Sequence, residues 1–382
     1  MPLGLYAHIP FCARRCDYCD FFVVIGRDRE AWFFEWLEKD LAASVSRLGE
    51  PSPDADTLYL GGGTPSSVAP EAIARTVEAV RRLVSLDAGA EVTLEANPET
   101  VTPERAAAWR RAGINRLSLG VQSLNDAVLR PRGRAYSAEE AIGAVRIARR
   151  AGFDNIGLDL IAGLPGETLP GFREGIGRCL DLSPEHLSLY LLETDDAGKE
   201  TLLTQAVRSG RERLPAEDEV VGMYADSAGL MADAGYHHYE ISNFARPGFE
   251  SRHNLKYWTS QPWLGIGPSA HSHLGGRRFG RPADLARWVE WIASGAPVPP
   301  GEDYTLESAA ARAREALTMA LRLLDGVDPA GFSARWGLDP RRDLAGEIES
   351  LRNDGLLRAD PGPLALTRRG LLLANEAFAR LL

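Results

Sequence analysis

Apolar positions recur along this 382-residue chain in two rhythms that alternate. Short apolar or β-branched runs predict strands: "GLYAHIP" (4–10), "DTLYLGG" (56–62), "EVTLEAN" (91–97), "RLSLGVQ" (116–122), "NIGLDLI" (155–161) and "HLSLYLL" (186–192). Longer amphipathic stretches between them predict helices over 28–48, 70–86, 103–112, 137–151 and 170–182, with another at 216–235 after the last strand. Strand followed by helix, about six times over, predicts an α/β fold with a parallel sheet and helices packed outside it. Polar, charged or Gly-rich residues follow nearly every strand: "FCARRCDYC", "GGGTPSS", "NPET", "GVQS" and "AGLPGE". In a (β/α) barrel the loops at the carboxyl ends of the strands build the active site, so these segments are expected to converge on one mouth.

The rhythm breaks near residue 240. "YEISNFARPGFESRHNLKYWTSQPWLGIGPSAHSHLGG" is rich in aromatics, His and Gly without a sustained period, which predicts loops and short strands wrapped against the barrel. A helix is expected near 283–294, followed by the linker "SGAPVPPGEDYT". Beyond it the pattern gives helices at 307–325, 329–335 and 341–354, a short β pair around 356–366 and a last helix at 368–381. The expected division is 1–240 for the barrel, 241–300 for a connector and 301–382 for a C-terminal winged-helix-like α+β module, with "LRNDGLLRADPGPLALTRRG" as its wing. Winged helices often bind DNA. Here 341–358 sets four acids (Asp343, Glu347, Glu349, Asp354) against four arginines (Arg341, Arg342, Arg352, Arg358), which favours a covering or docking module.

Composition narrows the function classes. A chain that is 45% hydrophobic and 25% charged is ordinary for a globular protein. The net charge of -10 disfavours nucleic acid or an anionic membrane as main partner. Only Lys39, Lys199 and Lys256 are lysine, so nearly all positive charge is Arg. No stretch approaches the roughly 20 apolar residues of a membrane span, and "MPLGLYAHIPFC" lacks the regions of a signal peptide, so a cytoplasmic location is expected. Thiols stay reduced there, and a tight cysteine cluster then points to metal rather than to disulfides. Cys179, alone in "GFREGIGRCLDL", is expected to be a small core residue.

Cys12, Cys16 and Cys19 form that cluster in "FCARRCDYCDFF". Cys-x3-Cys-x2-Cys supplies three thiolates for three corners of a [4Fe–4S] cluster and leaves the fourth iron to a non-protein ligand. Structural zinc wants four protein ligands, and the loop holds no fourth Cys; Asp20 or His8 would serve only in unusual geometry.

This spacing, with the aromatic Tyr18 before the last Cys, resembles the signature of the radical S-adenosylmethionine (SAM) superfamily. The resemblance implies a partial (β/α)6 barrel in which SAM chelates the open iron and is cleaved reductively to a 5′-deoxyadenosyl radical. The other loops match the same superfamily in order. Gly61, Gly62 and Gly63, followed by Thr64, resemble the segment that meets the SAM amino group, where Gly permits close approach. Glu95, Gln122, Arg134 and Asp159 fall where relatives hold the SAM ribose and carboxylate or approach substrate. A carboxylate such as Asp159 suits ribose hydroxyls, and Arg134 can fork onto a carboxylate. Tyr6 matches a residue on or near SAM, and His8 one near the cluster.

Within the superfamily the chain resembles, over essentially its whole length, the coproporphyrinogen III dehydrogenase-like family. The dehydrogenase branch carries an additional Cys two positions after the third cluster Cys, where this chain has Phe21. The HemW-type heme-chaperone branch typically reads "CDF" there and carries a His-Asn-x-x-Tyr-Trp motif; residues 253–258 read "HNLKYW". The resemblance implies heme near His253, Tyr257 and Trp258, an imidazole for iron and two aromatics for a porphyrin face. His271 and His273 are weaker candidates, and Arg277, Arg278 and Arg281 are read as solvated surface. Tyr136 stands where many relatives have His. The implied activity is that of a heme-binding chaperone with a [4Fe–4S] cluster and SAM, which delivers heme to hemoproteins, respiratory enzymes included; a homodimer fits the family's behaviour. The alternative is a radical SAM enzyme on a tetrapyrrole, an oxygen-independent coproporphyrinogen III oxidase or dehydrogenase or a heme-ring opener, which the full set of SAM-site residues favours. A DNA-binding iron–sulfur sensor is disfavoured by the balanced charge of 341–358.

Overall fold

The computed structural model describes residues 1–49, 52–194, 200–359 and 361–382. Eleven strands form one sheet. In chain order they are β1 (Leu3–Ile9), β2 (Asp54–Gly62), β3 (Ser85–Ala96), β4 (Arg116–Gln122), β5 (Ile156–Ala162), β6 (His186–Leu191), β7 (His237–Glu240), β8 (Asn243–Ala245), β9 (Trp263–Ile266), β10 (His271–Leu274) and β11 (Arg277–Gly280). Their order across the sheet is β11-β10-β9-β1-β2-β3-β4-β5-β6-β8-β7. The six predicted strands are its parallel centre, an open partial barrel as expected. β1 is buried on both faces but for the half-buried Tyr6, as a parallel strand under helices should be.

The predicted helices form within a few residues of their expected bounds: α1 (Glu30–Ser46), α2 (Pro70–Leu83), α3 (Pro103–Ala112), α4 (Ala138–Arg150), α5 (Leu169–Asp181) and α6 (Glu217–Asp233). Local chemistry starts several of them. Thr102 and Thr168 cap α3 and α5, and Ser137 with Glu140 closes a capping box on α4.

The segment 241–300 does more than wrap the barrel. Its strand β9 lies parallel to β1 in the same sheet, with Leu5 opposite Leu264, and β10 and β11 extend that edge antiparallel. It also holds α7 (Arg252–Trp258) and α8 (Leu285–Ser294). One apolar core runs from Leu3 to Trp291 and takes in Leu264, Ile266 and Trp288. A second core runs from Ala313 to Leu381 and is built by α9 (Ala309–Ala320), α10 (Pro329–Trp336), α11 (Ala345–Asn353), α12 (Arg368–Leu372) and α13 (Ala374–Leu381). The expected β pair is reduced to the isolated bridges Leu357–Leu366 and Val327–Leu364. The two cores are stitched by a bridge between Glu240 and Leu323 and by Arg335, which donates to the carbonyls of Thr259 and Ser260 at 2.8 Å. Among the described residues no helix is long and apolar enough to cross a membrane.

Candidate functional site

A cavity of about 960 Å³ opens at the carboxyl ends of the parallel strands, and its wall is completed by residues 371–376 from α12 and α13. Every residue expected to hold the cluster, SAM or heme lines it except Gly61. Four of the five segments expected to converge therefore share one mouth; "AGLPGE" (162–167) contributes no residue to the cavity wall.

The cysteine loop is anchored at several points. Phe11–Cys12 pairs with Val24–Ile25 in a two-residue parallel ladder, and the Cys19 amide donates to the Cys16 carbonyl at 3.2 Å. Arg132, almost wholly buried, donates to Asp17 at 2.7 Å and also pairs with Glu212. The His8 ring bonds the Phe22 carbonyl through Nε2 at 2.9 Å, and burial lowers its pKa to about 4, so it holds the loop as a neutral imidazole. The three cysteines are free thiols, half-buried, and not drawn together as a metal-holding group among the described residues. Burial pushes the Cys12 thiol up to about 11 and raises that of Cys19. Thiols that resist ionisation alone become good ligands when a cationic cluster supplies the opposing charge, so the donor set fits iron and sulfide.

The glycine run has a reason inside the protein. A Cβ on Gly63 would lie 2.6 Å from the Pro10 carbonyl oxygen, and Gly62 sits at φ 115° with a Cβ position 2.8 Å from the His8 ring. The Gly63 and Thr64 amides donate to the carbonyls of Ile9 and Phe11 at 2.9 and 2.8 Å. Close approach of a ligand is thus not needed to explain these glycines.

On the expected SAM side, Glu95 accepts from the Tyr59 hydroxyl at 2.8 Å and the Gly62 amide at 3.0 Å. Asp159 accepts from Ser188 at 2.6 Å and from Ser118 at 2.9 Å. Arg134 donates to the Tyr18 hydroxyl at 2.8 Å and to Asn97 at 3.0 Å, which aims its fork without exhausting its five donors. Gln122 adopts φ 63° at the register shift where β4 leaves β5. Tyr136 donates to the carbonyls of Gly120 and Val121 at 2.6 and 3.0 Å, which holds this bend from behind; Tyr136 is absent from the cavity wall.

Burial pushes the Glu95 carboxyl up from 4.5 to about 7; the Tyr59 and Gly62 hydrogen bonds oppose the rise, and the nearby Asp159 adds to it. A carboxyl whose folded pKa is raised binds its proton more tightly in the folded state. Stability from this group is therefore full below the unfolded pKa and falls as pH rises through 4.5 to about 7, by up to about 3 kcal/mol. In ligand-free protein, Glu95→Gln should flatten the melting temperature between pH 5 and pH 7 relative to wild type. Parallel melting curves for the two proteins would show that Glu95 does not titrate there.

On the expected heme side, Ser251 caps α7, and the Glu91 carboxylate takes the amides of Arg252 and His253 at 3.1 Å each. His253 is buried, with Nδ1 on Thr57 at 2.9 Å and Nε2 on Tyr257 at 2.8 Å, and burial lowers its pKa to about 3. Tyr257 packs edge-on against Trp263 at 4.8 Å. The Arg322 guanidinium lies 4.3 Å over the Trp258 ring.

Several weaker candidates fall away from the cavity. His271 is exposed beside Tyr304, and His273 is partly buried against Trp263. Arg277 pairs with Asp303 and Arg278 with Glu315. The surface reading fails for Arg281, whose side chain is 1% exposed and sits against the buried Asp40. Cys179 is fully buried in α5, as expected of a core residue.

Two sequence profiles match: the radical SAM superfamily over residues 6–175 and the HemN C-terminal domain over residues 308–373. The solved structure of coproporphyrinogen III oxidase (HemN) from Escherichia coli superposes with a TM-score of 0.85 at 23% identity, covering 100% of this chain and 90% of that one, which establishes the fold. The heme chaperone HemW of Bacillus subtilis is 33% identical over 99% of this chain and 98% of its own length. This chain belongs to the HemW heme-chaperone family. The HemW of Mycobacterium tuberculosis is 35% identical over 100% of this chain and 95% of its own, and the bovine mitochondrial radical S-adenosyl methionine domain-containing protein 1 is 34% identical over 99% and 87%.

Membership brings with it a [4Fe–4S] cluster and SAM as cofactors. The cavity of this HemW-family chain also contains residues that no motif announced. Asn97, Tyr59 and Tyr190 line it alongside Glu95 and Asp159, and Arg322 with residues 371–376 reaches it from the second core. Asn97 lay in the "NPET" loop and Tyr59 on an expected strand, so placement was legible but the role was not.

Proposed function

We propose that this protein is a heme carrier: it binds heme in the cavity and passes it to recipient hemoproteins, respiratory enzymes among them. The observation that carries this reading is α7, which sets His253, Tyr257 and Trp258 of "HNLKYW" on the wall of the cavity whose mouth holds the three cysteines. Kinship to proteins named heme chaperone supports it. Phe21, 58% exposed, occupies the position of the additional Cys expected of the dehydrogenase branch and gives no support to the enzymatic reading.

In this proposal Cys12, Cys16 and Cys19 hold the cluster. Arg134 would hold the SAM carboxylate, and Glu95 and Asp159, each oriented by hydroxyl donors, would hold polar groups of SAM. Tyr6, Gln122 and Thr64 complete that wall, with Gly61, Gly62 and Gly63 shaping it. The cluster bound to SAM supplies one-electron chemistry when reduced. For His253 to ligate iron, Nε2 must exchange the Tyr257 hydroxyl for the metal while Thr57 keeps Nδ1, an arrangement that orients the ring as outer-shell partners orient metal-bound imidazoles. Residues 1–240, 241–300 and 301–382 would act as barrel, heme-motif segment and covering module. A cytoplasmic location and a homodimer complete the proposal.

The test is anaerobic reconstitution with iron and sulfide, then hemin or coproporphyrinogen III with SAM, followed by absorption and chromatography. The expected result is stoichiometric hemin binding, weakened roughly tenfold or more in His253→Ala, with no protoporphyrinogen formed. Steady turnover of coproporphyrinogen III with deoxyadenosine release would replace the carrier by an enzyme.

A further inference from the structure

Among the described residues the second core contributes one cationic side chain to the cavity, Arg322. Arg322 lies just after α9, where its carbonyl accepts from the Ile241 amide at 3.2 Å beside the bridge that joins the two cores. Its guanidinium stacks over Trp258 at 4.3 Å and makes one long bond, Nη2 to Glu240 at 3.5 Å. Among the described residues its Nε has no acceptor, and neither has Trp258 Nε1 against which it is stacked. Both residues line the cavity. Of the other arginines on that wall, Arg14 and Arg15 belong to the cysteine loop and Arg134 lies on the expected SAM side, held by Tyr18 and Asn97.

Glu240 does not saturate this group. Its carboxylate already accepts from the Ser242 amide at 2.9 Å and from the Asn243 side chain. Arg322 has five N–H donors in a planar fork, and a guanidinium held over an indole face by cation–π contact still has N–H groups to offer a carboxylate. Buried N–H groups without acceptors are costly, and an arriving anion relieves that cost.

We propose that Arg322, braced by Trp258, is a carboxylate subsite of the cavity, which anchors an edge carboxylate of a planar apolar ligand. The inference rests on the carrier reading above and adds to it the group that selects for acidic porphyrins. It also assigns Trp258 a different part from the expected one: one face of the indole supports the guanidinium and is closed to a porphyrin. The arginines of the "GGRRFGR" stretch have no share in this subsite, since none lines the cavity.

The test titrates the full chain with hemin and with hemin dimethyl ester, whose carboxylates are capped, for wild type, Arg322→Gln and Arg322→Lys. Wild type is expected to prefer hemin. Arg322→Gln should weaken hemin roughly tenfold or more while leaving the ester unchanged, the size of a charge-assisted hydrogen bond lost. Arg322→Lys, which keeps the charge but not the fork, should fall between. Unchanged ester binding shows at the same time that the variants are folded. Equal binding of hemin and ester by wild type, or an equal loss of both in Arg322→Gln, would overturn the subsite while leaving the carrier reading in place. If wild type bound neither, the carrier reading would fail and the subsite with it.

Discussion

Replacing Cys12, Cys16 and Cys19 together by Ala is expected to abolish iron and sulfide uptake, from about four irons per chain to none, with loss of the cluster's broad visible absorption. The three thiols are free and half-buried around one cavity. Cys179, the fourth cysteine, is fully buried within α5 and cannot substitute for any of them. The loop should survive the change. Three of its anchors, the Asp17–Arg132 pair, the His8 bond to the Phe22 carbonyl and the short ladder at Phe11–Cys12, use no sulfur; the variant loses the long contact of the Cys12 sulfur with the Thr64 hydroxyl at 3.4 Å. The triple variant should therefore melt close to the iron-free wild type while it binds no iron, and Cys179→Ala should load normally. Full iron content and visible absorption in the triple variant would sink the ligand assignment.

Most of the parallel centre was legible because its signal is local. Each strand is a short apolar run, each helix a face at 3.6-residue spacing, and caps such as Ser137 and Thr168 announce the boundaries. In 241–300 the short strands and the helix near 283–294 were legible, but the pairing of β9 with β1 was not, because β9 is only "WLGI", four residues without a measurable period, and its partner lies some 260 positions earlier. Site residues carried by spacing, the cysteines and the glycine run, stood out in the chain. Tyr59 and Arg322 did not. Tyr59 reaches Glu95 only because the β2–β3 register sets it opposite Thr93, two residues before Glu95 on the same face, and Arg322 arrives through packing of a second core. Arg281 failed in the opposite sense. A basic residue in a Gly-rich stretch reads as solvated, and its burial becomes visible only when Asp40, 241 residues away in sequence, is found beside it.

That pair sets the largest stability effect expected away from the cavity. Asp40 on α1 is wholly buried. It accepts from Ser44 at 3.0 Å, from the Gly267 amide at 2.9 Å and from Trp288 Nε1 at 3.0 Å, with Arg281 at 3.5 Å. One carboxylate thus ties α1 to the turn after β9 and to α8, two elements that follow the heme motif in the chain. Asp40→Ala should cost about 3–5 kcal/mol, because it strands a buried guanidinium and orphans an amide and an indole N–H. Chemical denaturation of the iron-free protein should show this as a lower midpoint. The double variant Asp40→Ala, Arg281→Met removes the stranded charge, so it should recover part of the loss. Recovery should stop short of wild type, since the Gly267 amide and Trp288 Nε1 remain without an acceptor. Complete recovery would mean that the ion pair alone holds this edge, and no recovery would mean that the carboxylate acts through its neutral donors and Arg281 contributes only packing over Trp291, whose ring it covers at 4.8 Å.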